Sequence, residues 1–374
     1  MNGGCLLLSK EKAYQTLLNN CLRNQRYTGS VENRRRAMEG KNKKQSIVPG
    51  MLLFGLLTLG ILTAVKKIDP GAVEVVKALS PPALAALFLL NGLYVLQEAF
   101  VSRIILRDSC KKFRFLNMLS VTYVGIFSGV ALPFGGKAPM QSLYLYHRGV
   151  HAGSGFGLMS VQYLLHKTGV VLLAAVFLIS DWKWLHLTIP DISPYLVFAY
   201  VVCAVIILGT LLIYTWERMK QLVLYGLHQL PNGGKWQERK EKWTENIEIL
   251  YDNTRSLLSD RGKLAGIMLT ETGKLLSLYA VPLVCGALLG LKQPGIYHML
   301  GLASLMFMLS NALPNLAGMG SVEFSFFLIF SAIYGDSTLP VLLLYRLTTY
   351  YLPFLCSCIW TLCGSFRYRQ QDKG

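Results

Sequence analysis

Six apolar runs, at about 48–65, 82–106, 154–179, 192–216, 264–290 and 339–362, constrain this chain more than any other feature. Each is rich in Leu, Val, Ala and aromatic residues. Their lengths reach or approach the roughly 20 residues that a helix needs to cross about 30 Å of hydrocarbon. A chain of 374 residues with 53% hydrophobic and only 15% charged residues is too apolar for an ordinary water-soluble domain. The expectation is an all-α fold, a polytopic helical membrane protein.

Two further apolar stretches, 116–148 and 296–334, are broken near their middles. Pro133, Gly135 and Gly136 interrupt the first, and Pro314, Gly318 and Gly320 the second. Proline removes a helix hydrogen bond and glycine weakens the helix, so each stretch reads as two short helices meeting at a break. Positive charge orients the chain, because cytoplasmic loops collect Lys and Arg. Ten lie in residues 1–46, five in 103–114, nine in 217–263 and three in the C-terminal tail, whereas the opposite side has Lys66, Lys67, Lys77, Lys183 and Lys292. With that orientation 116–148 begins and ends on the cytoplasmic side, and 296–334 begins and ends outside. Both then become re-entrant hairpins, dipping in from opposite faces.

The resulting plan has a basic cytoplasmic tail, 1–46, and a first membrane half, 47–216, containing hairpin 116–148. A cytoplasmic connector, 217–263, leads to a second half, 264–363, containing hairpin 296–334, and a short cytoplasmic tail, 364–374. The two halves are inverted-topology repeats, each with a re-entrant helical hairpin. Such repeats, with irregular backbone near the midplane, build the sites of many secondary transporters. The first run, preceded by Arg34, Arg35, Arg36, Lys41, Lys43 and Lys44, lacks a small-residue cleavage site and reads as an anchor.

Ionisable residues inside spans are costly and need a partner or a cavity. They are Glu98, Lys137, Lys167, Glu271, Lys274, Glu323 and Arg346. Lys137, Lys167, Glu271, Lys274, Glu323 and Arg346 form the candidate substrate-binding set. Arg346 offers a planar fork to a phosphate, and Lys137 or Lys274 a point charge. Glu323 suits one of these cations or a cationic head group. Glu271 and Lys274, three apart, share a helix face and form an ion pair on that ground alone. The glycines of the tips permit close backbone approach, and a helix starting after each break directs unpaired N–H groups toward an anion. His147, His151 and His166 read as ordinary helix or interface histidines.

Cys356 and Cys358 point to different sides of a helix and lack companion ligands, so no metal is expected, and the eight cysteines imply no disulfide framework. GxSxG, HExxH, GxxxxGK[ST] and dinucleotide fingerprints are absent, and no cofactor is expected. In 217–263, Trp236, Trp243, Ile247, Leu250, Thr254 and Leu257 recur at helical spacing, as in an amphipathic helix on the inner membrane surface. The net charge of +17 is placed between apolar runs and in the tails, which favours an anionic inner leaflet over nucleic acid as its partner. Residues alone leave three functions open: a lipid transporter, a membrane-embedded transferase acting on a lipid phosphate, and a secondary transporter of a small solute. They also leave open whether the chain forms a homo-oligomer.

The segment NALPNLAGMGSVEF followed by LYRLTTYYLP resembles the N-P-x-G-x-G-x-x-E and Y-R-x-x-x-Y-x-x-P pattern of the lysylphosphatidylglycerol synthase transmembrane family. That family is the flippase-like membrane domain of multiple peptide resistance factors and of many standalone proteins. The earlier ALPFGGKAPMQSLYLYHRGV is similar to its first Pro/Gly motif, and the resemblance covers about 48–362. In tip two, Asn315, Leu316 and Ala317 separate Pro314 from Gly318, a departure from the family's compact pattern. The resemblance implies a multi-pass plasma-membrane protein, both termini cytoplasmic, that moves a phospholipid such as an aminoacylated phosphatidylglycerol between leaflets as a flippase or scramblase. Because the chain ends about ten residues after its last span, it also implies a standalone member without the soluble aminoacyltransferase domain, and so a non-enzyme.

Overall fold

The computed structural model describes residues 79–109, 113–131, 136–229, 235–313 and 320–371. The expected crossing at 48–65 and the tip residues Pro133, Gly135, Pro314 and Gly318 lie outside the described residues. Everything regular that is described is helical. The first half contributes α1 (Pro81–Leu106), the pair α2 (Phe115–Ala131) and α3 (Lys137–His147), and then α4 (Ala152–Ser180). A short α5 (Trp182–Thr188) leads to α6 (Ser193–Thr215). The connector forms α7 (Glu217–His228) and α8 (Lys235–Ser259). The second half follows with α9 (Arg261–Leu288), the pair α10 (Ile296–Ala312) and α11 (Ser321–Tyr334), and α12 (Thr338–Arg346). A π-helical turn at Leu347–Tyr351 joins α12 to α13 (Leu352–Gln371).

Among the described residues, five helical stretches are long and apolar enough to cross a membrane: Pro81–Leu106, Ala152–Ser180, Pro190–Thr215, Arg261–Leu288 and the compound Ser321–Thr361. These account for the crossings expected from 82 onward. In the last stretch Gly335, at φ 51°, turns the chain between α11 and α12, a conformation that glycine adopts without steric penalty. The chain is thus an all-α polytopic membrane protein.

Both broken stretches fold as two helices packed on each other. In the first, a Cβ on Gly125 would stand 2.6 Å from Nε2 of Gln141, so α2 and α3 touch because position 125 has no side chain. Gln141 Nε2 then donates to the Val121 carbonyl at 3.1 Å, locking the arms. In the second, the hydroxyls of Ser310 and Ser321 lie 3.2 Å apart across the break between α10 and α11.

Element spacing repeats through the chain. Helices α1 and α9 begin at 81 and 261, α2 and α10 at 115 and 296, α3 and α11 at 137 and 321, α4 and α12 at 152 and 338. Packing repeats with it. Helix α1 packs on α9, while α2 packs on α13 from the other half and α10 packs on α4 from the other half. Trp360 Nε1 donates to Ser120 Oγ at 3.0 Å across the first of these hairpin contacts, and Phe127 stacks on Phe354. Across the second, Phe177 of α4 lies where a side chain at Gly301 of α10 would be.

Buried Leu, Ile, Met and aromatic side chains fill the bundle, with the most continuous cluster running through α4, α6, α9, α10, α11 and α12. Leu89, Val176, Ile179, Val197, Val205 and Leu269 stay exposed. An outward apolar surface of that kind suits a lipid solvent. The connector helix α8 lies against the start of α4, burying Thr254 and Leu257, with Trp243 exposed. Glycines make this contact: a side chain at Gly153 would overlap the Asn246 carbonyl, and one at Gly157 would meet Leu250 and Thr254. Asn246 Oδ1 accepts from the Gly153 N–H at 3.1 Å.

Candidate charged site within the bundle

Glu98 is the hub of the largest buried charge cluster described. It lies on α1 at 2% exposure, surrounded by the apolar bundle. Its Oε1 accepts from Lys137 Nζ at 2.7 Å and from Gln162 Nε2 at 3.2 Å. Its Oε2 accepts from Lys274 Nζ at 2.6 Å. Ser102, one turn further along α1, donates to Gln162 Oε1 at 3.2 Å and so orients the amide toward the carboxylate. Lys274 Nζ also donates to Glu271 Oε1 at 2.6 Å, and His166 Nδ1 lies 2.5 Å from the same oxygen. Four helices, α1, α3, α4 and α9, therefore meet through polar and charged side chains.

The arrangement follows from cost. A charged residue at a bilayer's centre costs on the order of 2.5–3.5 kcal/mol even by insertion measurements. Two carboxylates and two ammonium groups within hydrogen-bond reach carry charges that sum to zero. Lys274 further lies 5.8 Å from the centre of the Tyr94 ring, a cation–π distance. Glu98, Glu271 and Lys274 are sealed, but the Lys137 side chain is 44% exposed, and that of His166 is 25% exposed. The cluster is closed at its middle and open at two ends. Lys137 is the first residue of α3, immediately after the first break, so one opening adjoins tip one.

Two smaller polar contacts border the second break. Lys167, next to His166 on α4, donates to Asn311 Oδ1 at 2.6 Å, and Asn311 is in the final turn of α10. Its ammonium is also 5.2 Å from the Tyr163 ring centre. On the far side of the break, Glu323 divides its oxygens: Oε2 accepts from the Gly320 N–H at 2.7 Å, and Oε1 pairs with Arg346 at 2.5 Å. Gly320, at φ 94°, is the N-cap residue just before α11, so Glu323 both caps that helix and ties it to the end of α12. Arg346 sits over the Tyr350 ring at 5.3 Å, where the backbone widens into the π turn. Such turns within helices recur at functional sites.

The expected set is therefore distributed over three places. Lys137, Glu271 and Lys274 join one cluster, Glu323 and Arg346 pair with each other, and Lys167 is held by Asn311. The Glu271–Lys274 pair expected from spacing is present within a larger network. Glu98 was visible as an intramembrane charge but not as the hub, since its partners lie 39 and 176 residues away in sequence. Gln162 and Asn311 carry no charge and gave no signal. His166, read as an ordinary helix histidine, belongs to the cluster. Among the described residues no group of His, Cys, Asp and Glu is arranged to hold a metal ion.

Comparison with known proteins adds the family. No curated protein matches the chain. The family model described as lysylphosphatidylglycerol synthase TM region matches residues 48–357, which spans both broken stretches, all the charged residues above and the start of α13. By that match the chain belongs to the lysylphosphatidylglycerol synthase TM region family, and its function is tied to membrane lipid.

Proposed function

We propose that the chain is a lipid flippase or scramblase that carries the head group of an anionic phospholipid past the charged cluster, rather than an enzyme. The observation carrying this reading is the Glu98–Lys137–Lys274–Glu271 network, buried among helices long enough to span a bilayer and exposed at Lys137 beside the first break. A phospholipid crosses slowly because its phosphate must leave water, where unpaired burial of a charge is prohibitive. A bundle that already holds charge in mutual satisfaction replaces that water with fixed partners. When Lys137 turns from Glu98 to a phosphate oxygen, Lys274 still bridges Glu98 and Glu271. The family supports phosphatidylglycerol or its aminoacylated form as the lipid, in which case Glu323 faces the added ammonium group.

Repeated spacing and exchanged packing support the inverted-repeat arrangement. In this reading α2/α3 enters from the cytoplasmic face and α10/α11 from the outer face, with both termini in the cytoplasm of a plasma-membrane protein. The basic segments rest on an anionic inner leaflet. The chemistry is not duplicated with the backbone, because Ser321 stands at the start of α11 where Lys137 stands at the start of α3.

The test is leaflet exchange in vesicles containing the purified chain and a fluorescent phosphatidylglycerol that an impermeant reductant bleaches from outside. Protein-free vesicles keep the inner half of the signal. With the chain present, nearly all of it is expected to bleach; protection of the inner half would remove the lipid reading.

A further inference from the structure

We propose that the pair His166–Glu271 is a proton-binding site within the membrane, and that proton entry there drives lipid movement down a transmembrane pH gradient. The proposal rests on the lipid-transport reading above and adds an energy source to it.

The geometry of Glu271 is the starting point. Its Oε1 is shared by Lys274 Nζ at 2.6 Å and His166 Nδ1 at 2.5 Å. Its Oε2 is buried and has no hydrogen-bond partner among the described residues. An ionised carboxylate in an apolar bundle with one bare oxygen is poorly satisfied. A proton is the smallest group that relieves it. The imidazole supplies the route. A neutral ring donating from Nδ1 to the carboxylate keeps its lone pair on Nε2, and the side chain is 25% exposed, so a proton can arrive at Nε2.

The charge balance shows what such a proton does. Proton-free, Glu98 and Glu271 offset Lys137 and Lys274. A proton added at Nε2 makes an imidazolium, and transfer of the Nδ1 proton to Glu271 leaves a neutral acid and a neutral ring protonated at Nε2. One proton has been bound and none lost. Lys274 then keeps only Glu98, and Glu98 faces two ammonium groups with one charge. Lys137, the more exposed of the two at 44%, becomes the cation with half a partner, beside the first break. The loaded state thus binds one proton and one monoanionic phosphodiester, with no net charge added to the bundle. Proton release toward the other side restores the Lys274–Glu271 pair, returns Glu98 to Lys137 and expels the anion.

The groups facing His166 are consistent with a single titrating unit. From α9 these are Glu271, Lys274 and, beside Glu271, Tyr279, from α1 Glu98 and Tyr94, from α3 Lys137 through Glu98, and from its own helix Tyr163 and Lys167. Helix α10 presents uncharged Asn311, and α6 presents Tyr200 and Cys203 on the Lys167 side. Helix α8 meets α4 at Gly153 and Gly157, about two and a half turns or more away. The second histidine–carboxylate pair, His298 with Asp181 at 2.8 Å, joins the far end of α4 to the start of α10 and is outside this network.

The test uses vesicles containing the full chain, a fluorescent phosphatidylglycerol and an internal pH dye. The readout is the ratio of lipid exchange rates with and without a pH difference across the membrane, taken within each variant so that lower expression or partial misfolding cancels. One pH unit is a tenfold ratio of proton activity, so the wild-type ratio is expected to rise toward, and not beyond, about tenfold. The dye should record proton entry that increases when phosphatidylglycerol is present. His166→Gln and Glu271→Gln are expected to bring the ratio to one, and His298→Gln to retain it. A wild-type ratio of one, or a ratio surviving both cluster substitutions, overturns the proposal while leaving passive lipid exchange standing. If no lipid exchange occurs under any condition, the lipid reading fails. The dye then decides alone: proton entry abolished by His166→Gln keeps the proton site, and no protein-dependent entry removes it.

Discussion

Glu98 concentrates the strongest residue-level consequence of the structure, because it holds Lys137 and Lys274 at once. Removing one partner of a buried ion pair strands the other charge, at a cost of about 3–5 kcal/mol. Glu98→Ala should therefore lower the thermal midpoint of the detergent-purified chain markedly. Adding Lys137→Met should recover part of that loss, since Lys274 keeps Glu271 and the stranded cation is Lys137; strictly additive losses would show that the two groups are not coupled. Sequence alone exposed this chemistry unevenly. Glu271 and Lys274 are one helical turn apart, and their pairing follows from geometry available before any fold is known. The contacts of Glu98 depend on how α1, α3, α4 and α9 pack, which no local pattern encodes.

At the level of elements, the second hairpin is seated by the absence of a side chain. Gly301 of α10 lies against the Phe177 ring of α4 so closely that a Cβ there would overlap it. Overpacking of this kind costs about 1–3 kcal/mol where the ring can shift. Gly301→Ala should lower the thermal midpoint, and Phe177→Ala in the same chain should relieve part of that loss; an unaffected midpoint in the single variant would mean that α10 and α4 are not in close contact. The breaks that create the hairpins were readable, because Pro and Gly within long apolar runs are hard to accommodate as continuous helix. Which glycines serve packing rather than turning was not readable. Gly125, Gly153 and Gly301 look alike in sequence to Gly129, which has open space around it.

Considered whole, the chain places two halves of matching element spacing around one asymmetric set of charges. The crossings from 82 onward came from apolar run length, a property of the chain that survives folding. The joining of distant charges into one cluster did not, since it depends on the packing of the two halves. Opposite entry of the hairpins has a direct check in the exposed positions just after each, Arg148 and Asp336. In a background with the eight native cysteines replaced, Arg148→Cys should react with an impermeant maleimide from the cytoplasmic side and Asp336→Cys from the outside. Labelling of both from one side would contradict the inverted arrangement. The central claim, that this charge cluster carries a lipid head group across the bilayer, is tested most directly by measuring fluorescent phosphatidylglycerol exchange for wild type and Lys137→Ala in matched vesicles. The account predicts exchange well above protein-free vesicles for wild type and a fall of about tenfold or more for the variant, the equivalent of about 1.4 kcal/mol; equal rates for the two proteins, or a wild-type rate no faster than protein-free vesicles, would contradict it.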